Sequence, residues 1–163
     1  MKNLHIYSLV ILLSFFSMRC STSKTTTQAT DTKKEQSMEQ GIMGKIIWKQ
    51  GNMMPQFGDS KKSGVVEGTI RDIFIYEVVN KKALKQAGPF YKDIPTKMVA
   101  KGKSAEDGSF KIQLEPGTYS MFTKEPNGLY GNLTDGQGNL SVVKVEKGKY
   151  TEIKFEVSYE AAY

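Results

Sequence analysis

The chain has 163 residues, 39% hydrophobic and 25% charged, which suits one soluble domain with an extension and excludes two large lobes or a membrane-embedded bundle. Its formal net charge is +6. The only histidine is His5 and the only cysteine is Cys20, both inside or at the edge of an N-terminal apolar run. The domain beyond them therefore has no Ser-His-Asp or Cys-His catalysis, no Cys/His zinc site and no structural disulfide.

Lys2 opens a short positive segment, Leu4 to Phe16 (LHIYSLVILLSFF) is apolar, and Ser17-Met18-Arg19 leads into Cys20. This is the layout of a secretory signal, and the apolar run falls short of the roughly 18 to 20 residues that a membrane-spanning helix needs. Residues 1–19 are expected to be a cleaved signal peptide. A lone cysteine directly after such a run resembles the lipobox of bacterial lipoproteins, in the relaxed form of Bacteroidota lipoproteins. Met18-Arg19 departs from the small residues of the usual pattern. The resemblance implies lipidation of Cys20, which would become the new N-terminus; the alternative is a cysteine left over in an ordinary signal peptide. Stable attachment takes more than one acyl chain, as diacylation supplies.

Ser21 to Gln40 (STSKTTTQATDTKKEQSMEQ) carries only Ala29 and Met38 as apolar side chains, too few to build a core. Residues 20–40 read as a disordered, lipidated tether. All 15 glycines and all 5 prolines come after residue 40, so the folded domain is placed at 41–163. Cleavage lowers the net charge from +6 to +4, since Lys2 and Arg19 leave and no acid does. Apart from Arg19 the only arginine is Arg71, and the lysines are scattered, which argues against a nucleic-acid partner. No acidic run comes after Cys20. The expected location is the outer membrane, anchored by lipid and facing the periplasm, with secretion or surface exposure as the alternative.

From Gly41 onward, apolar residues recur with period two in short runs bounded by Gly, Pro, Asn and Asp. In chain order the predicted strands are Met43–Lys49, Thr69–Val79, Thr96–Lys103, Ser109–Leu114, Tyr119–Lys124, Leu140–Glu146 and Thr151–Tyr159. Asn80 to Ala87 has the composition for a turn or two of helix, stopped by Gly88-Pro89. Phe110, Ile112 and Leu114 share one face of their strand, as do Ile153, Phe155, Val157 and Tyr159 of the last. Glu106-Asp107-Gly108 and Glu115-Pro116-Gly117 supply turn residues, and are expected to join three consecutive antiparallel strands. About seven short strands fit an all-β, antiparallel two-layer sandwich.

Lys101 to Phe122 (KGKSAEDGSFKIQLEPGTYSMF) resembles the core of carboxypeptidase-regulatory-like, transthyretin-like domains, through Asp107-Gly108-Ser109-Phe110 and Pro116-Gly117-Thr118-Tyr119. Upstream, Gly44 to Pro55 is similar to that family's opening strand and turn, and Ile73 to Val78 to its second strand. The resemblance implies a non-catalytic sandwich of an exported protein. A related hydrolase, acting on hydroxyisourate, uses histidines and a C-terminal Tyr-Arg-Gly-Ser, whereas this chain ends Glu160-Ala161-Ala162-Tyr163. A related adhesin cross-link needs Asn or Asp on the last strand, and Thr151–Tyr159 has neither.

Carboxylate chemistry needs two acids converging in a pocket. Glu106 and Asp107 sit together in a tight turn and read as solvated. Asp135-Gly136-Gln137-Gly138-Asn139 offers oxygen ligands without the acids of a strong calcium loop, so it reads as a turn. No catalytic residue, metal or cofactor is therefore assigned. The long connection Glu125–Asn139 places Tyr130 near Asn127 and Asn132, a set that either stacks on a sugar and bonds to it or forms a small core of its own. Trp48 either packs in the core or joins that site. Phe57, in an insertion at 56–63, either caps the sandwich or docks a partner. The expected function is non-enzymatic: a cell-envelope interaction or accessory module whose partner is an envelope protein, with carbohydrate binding as the alternative.

Overall fold

The computed structural model describes residues 40–55, 64–85 and 88–163. The signal segment, Cys20, most of the tether and the insertion carrying Phe57 lie outside the described residues.

Among the described residues the period-two alternation is realised in ten strands, where the sequence pointed to about seven. They are β1 (Gly41–Asn52), β2 (Val65–Gly68), β3 (Asp72–Glu77), β4 (Phe90–Tyr91), β5 (Met98–Lys103), β6 (Ser109–Gln113), β7 (Gly117–Glu125), β8 (Gly128–Tyr130), β9 (Val142–Val145) and β10 (Tyr150–Ala162). Asn80 caps a single 3-10 turn, Lys81–Ala83, by accepting a hydrogen bond from the Lys82 amide. That turn is all the helix described where the sequence pointed to a turn or two.

Two sheets form an all-β sandwich. In the first, β1 runs between β10 on one side and β6 and β2 on the other, along its first and second halves. The β1–β10 pairing is parallel, an exception in a fold whose other pairings are antiparallel. The second sheet runs β4-β8-β7-β3-β5, with β9 beside the start of β7. Burial follows the pleat, as successive side chains on a strand point to opposite faces. Ile42, Ile46 and Trp48 of β1 and Phe155 and Val157 of β10 meet Ile73, Ile75, Met121, Tyr130 and Val143 between the sheets.

The alternate residues of the second sheet are also covered. Phe122 and Leu129 pack with Val79, Tyr91 and Leu140 into a second, smaller core, joined by Phe74, Tyr76, Leu84 and Ile94. Two connections roof this face and are stitched together, with Leu140 N donating to Val79 O at 2.8 Å and Lys81 N to Gly138 O at 2.9 Å. This explains the long stretch after Glu125. It is not one loop: β8 returns along β7 after a two-residue turn at Pro126-Asn127, and only the segment between β8 and β9 is irregular.

The expected run of three consecutive antiparallel strands is corrected. The turns at Asp107-Gly108 and Pro116-Gly117 do reverse the chain, but each carries it from one sheet to the other. β5 pairs with β3, β6 with β1, and β7 with β3, β8 and β9. Turn chemistry is local, whereas the choice of partner strand depends on distant residues. β6 finds its partner in Gly41–Lys45, more than sixty positions upstream.

Candidate functional site

Tyr130 is 1% exposed. Its ring stands on the inner face of β8 among Phe90 (5.5 Å between centroids), Tyr159 (5.5 Å) and Phe155 (6.4 Å). Its hydroxyl accepts from Ser158 N at 3.3 Å and lies 3.4 Å from Ser158 Oγ. A ring enclosed in this way has no free face for a sugar; of the two readings of Tyr130 the packed one fits, and the core it joins is the one between the sheets, not one of its own loop. Asn127 and Asn132 are exposed, one in the β7–β8 turn and the other beyond β8. Trp48 does reach a surface groove.

That groove is built around Arg71, the arginine just before β3. The Ser104 hydroxyl accepts from Arg71 N at 2.8 Å and donates to Thr69 O at 2.7 Å, and Ser104 N donates to Arg71 O at 3.0 Å. With the main chain pinned, the guanidinium is pinned too. Nε donates to Glu125 Oε1 at 2.8 Å and Oε2 at 3.1 Å, while Nη1 donates to Thr69 Oγ1 and Ile70 O, both at 2.8 Å. Its carbon lies 5.3 Å from the Trp48 ring centroid, a cation-over-ring contact. Glu125 ends β7 with a side chain only 1% exposed. A buried carboxylate must be paired and hydrogen-bonded to be tolerated, and here Arg71 and the Tyr159 hydroxyl, donating at 3.1 Å, do both.

Tyr159 joins the groove to the core. Its ring meets Trp48 edge-on at 5.0 Å and Phe90 at 4.9 Å. Burial, and after it the charge of Glu125, push its phenol up to about 12. Trp48, Arg71, Pro126 and Tyr159 thus line a groove of about 530 Å³ above Glu125, with Lys124 and Glu160 also lining it. Two carboxylates therefore share one lined groove. Both oxygens of Glu125 are already held, by the Arg71 guanidinium and the Tyr159 hydroxyl, whereas Glu160 lies at an exposed position.

Sequence reasoning named Trp48 and missed Arg71, Glu125 and Tyr159 as a unit. Glu125 reads as the first residue of the polar connection Glu125–Asn139 that follows the strand Tyr119–Lys124. One signal was available: a domain with a single arginine has placed it somewhere that lysine does not serve. Elsewhere, Asp135 closes its own turn, with Oδ1 accepting from Gln137 N and Asn139 N and Oδ2 from Asn139 Nδ2. Among the described residues no three His, Cys, Asp or Glu side chains group closely enough to hold a metal ion. No family model matches this chain, and neither a curated protein nor a solved structure does.

Proposed function

We propose that the chain is an exported, lipid-anchored β-sandwich of the cell envelope that works without catalysis, by presenting an open sheet edge to a protein partner. The anchor is argued from Cys20 directly after the apolar run and from the polar segment beyond it. The contact is argued from the edge of the second sheet. β5 pairs with β3 on one side and with no strand on the other among the described residues. Proteins usually blunt such edges with charge or a bulge. Lys101 and Lys103 guard one half of β5; on the other half the β3–β5 register shifts at Val99, yet Met98 and Val99 still expose 48% and 42% of their surface. This apolar half-edge is the observation that carries the reading.

The resemblance to carboxypeptidase-regulatory-like domains belongs to the same proposal. It is supported by the two motif turns, each of which opens a strand that delivers core residues: Phe110 and Ile112 from one, Met121 from the other.

Membrane fractionation of the wild type and Cys20→Ala, with mass spectrometry of the mature N-terminus, tests the anchor. The wild type is expected to be acylated and membrane-bound and the variant soluble; cleavage near residue 20 with both forms soluble overturns it. A photo-crosslinker at Val99 tests the edge. One discrete envelope adduct, lost in Met98→Lys, is expected, and an adduct pattern that ignores this charge rejects the edge as the contact.

A further inference from the structure

Arg71 commits Nε and Nη1 inside the protein, and Nη2 has no acceptor among the described residues. A guanidinium carries five N–H groups, so two remain for something that enters the groove. The formal charges lining it cancel, Arg71 and Lys124 against Glu125 and Glu160. An anion would gain no net attraction, and a cation would meet Arg71. What remains uncommitted is a mixture of donors, from Arg71 Nη2 and Lys124, and an acceptor, Glu160, beside exposed Pro126, the half-buried Tyr159 ring and the rim of Trp48, which is 9% exposed.

A sugar ring meets that mixture: its hydroxyls both donate and accept, and its C–H face packs on aromatic and proline carbons. The volume of about 530 Å³ lies within the range of small-molecule clefts, roughly 300 to 1,000 Å³. Pre-organisation supports the same ligand, since Ser104, Thr69 and Glu125 hold the guanidinium in place before any ligand arrives. We propose that the groove at Arg71, Trp48 and Tyr159 binds a neutral saccharide unit of an envelope glycan. The inference goes beyond the display reading and is independent of the lipid anchor. Arg71 precedes Asp72 at the end of β3 that faces Lys103, whereas Met98 pairs with Tyr76 at the other end.

Trp48 is the only tryptophan, so its fluorescence reports on this groove directly. The full chain is titrated with neutral hexose and N-acetylhexosamine oligosaccharides and, in parallel, with hexuronate oligosaccharides, each up to about 10 mM, beyond which single-site affinity is negligible. A saturable emission change with a neutral oligomer is expected. Lys124→Met and Glu160→Gln, at exposed positions, are each expected to weaken it about tenfold, as loss of a charge-assisted hydrogen bond does. Their melting midpoints should match the wild type. No saturable response to any neutral oligomer, tighter binding of the hexuronate, or an affinity that neither variant changes would each overturn the proposal.

Discussion

Arg71 Nε lies 2.8 Å from Oε1 and 3.1 Å from Oε2 of Glu125, joining a side chain 24% exposed to one that is 1% exposed. A pair this asymmetric is costlier to break from the arginine's side, because Arg71→Met leaves a buried carboxylate without its cation whereas Glu125→Leu leaves a guanidinium that water reaches. Arg71→Met alone is expected to lower stability by about 3 to 5 kcal/mol. The double variant Arg71→Met/Glu125→Leu should lose less than Arg71→Met, since it leaves no buried orphaned charge. Equilibrium urea unfolding of the wild type, the two single variants and the double variant decides this, and a double variant that equals the sum of the singles would count against a coupled pair.

Tyr130 gives a second contrast. Tyr130→Ala empties a site enclosed by Phe90, Phe155 and Tyr159 and is expected to cost about 3 to 5 kcal/mol. Tyr130→Phe keeps the ring and gives up only the contact with Ser158, at about 1 kcal/mol. Asn127→Ala and Asn132→Ala, both at exposed positions, should stay within about 0.5 kcal/mol of wild type. Thermal melts of the four variants would show this ranking, and a silent Tyr130→Ala would return the residue to the surface.

Gly108 has φ +80°, and a Cβ there would stand 2.2 Å from Ile46 O. Gly108→Ala is strained in the backbone and blocked by main chain that cannot swing away, so a loss of more than about 2 kcal/mol is expected. Gly136 is the control, since a Cβ there meets nothing within 4 Å. Gly136→Ala should leave the denaturation midpoint almost unchanged.

Two groups make stability depend on pH at opposite extremes. Hydrogen bonds from the Ser109 hydroxyl and amide, then Lys45, hold Asp107 at about 2, below the ordinary 3.8. The folded form prefers the carboxylate, so this contribution is present above about pH 4 and lost as pH falls toward 2. Tyr159 runs the other way: the folded form keeps the phenol protonated, so its contribution is complete below pH 10 and lost as pH rises toward about 12. Burial raises Tyr76 and Tyr91 in the same direction, so the test must be site-specific. Carbon-13 NMR of the Asp107 carboxyl and the Tyr159 ring should place the two titrations on these sides of their ordinary values; an ordinary value for either would remove its share of the pH slope.

Period-two alternation made the strands legible, because on a pleated strand every second side chain faces the same way whatever its partner is. Phe110 and Ile112, and Phe155 and Val157, were placed inward from spacing alone, and they are buried. The aromatic rings of β3 and β7 were less legible, since Phe74 and Phe122 fill a second core on the far face of their sheet. A strand buried on both faces loses the contrast between wet and dry residues that alternation depends on.

Fold class, the faces of β6 and β10 and the turns at Asp107-Gly108 and Pro116-Gly117 are written in the sequence, because they depend on neighbours a few residues apart. Only the tertiary structure decided that β1 pairs in parallel with β10, that consecutive strands step between sheets, and that Arg71 meets Glu125 and Trp48. Arg71 and Glu125 are 54 positions apart. Each is an ordinary polar residue at a strand end until the packing of two sheets removes the water between them. The groove comes from that long-range closure, which no local pattern records.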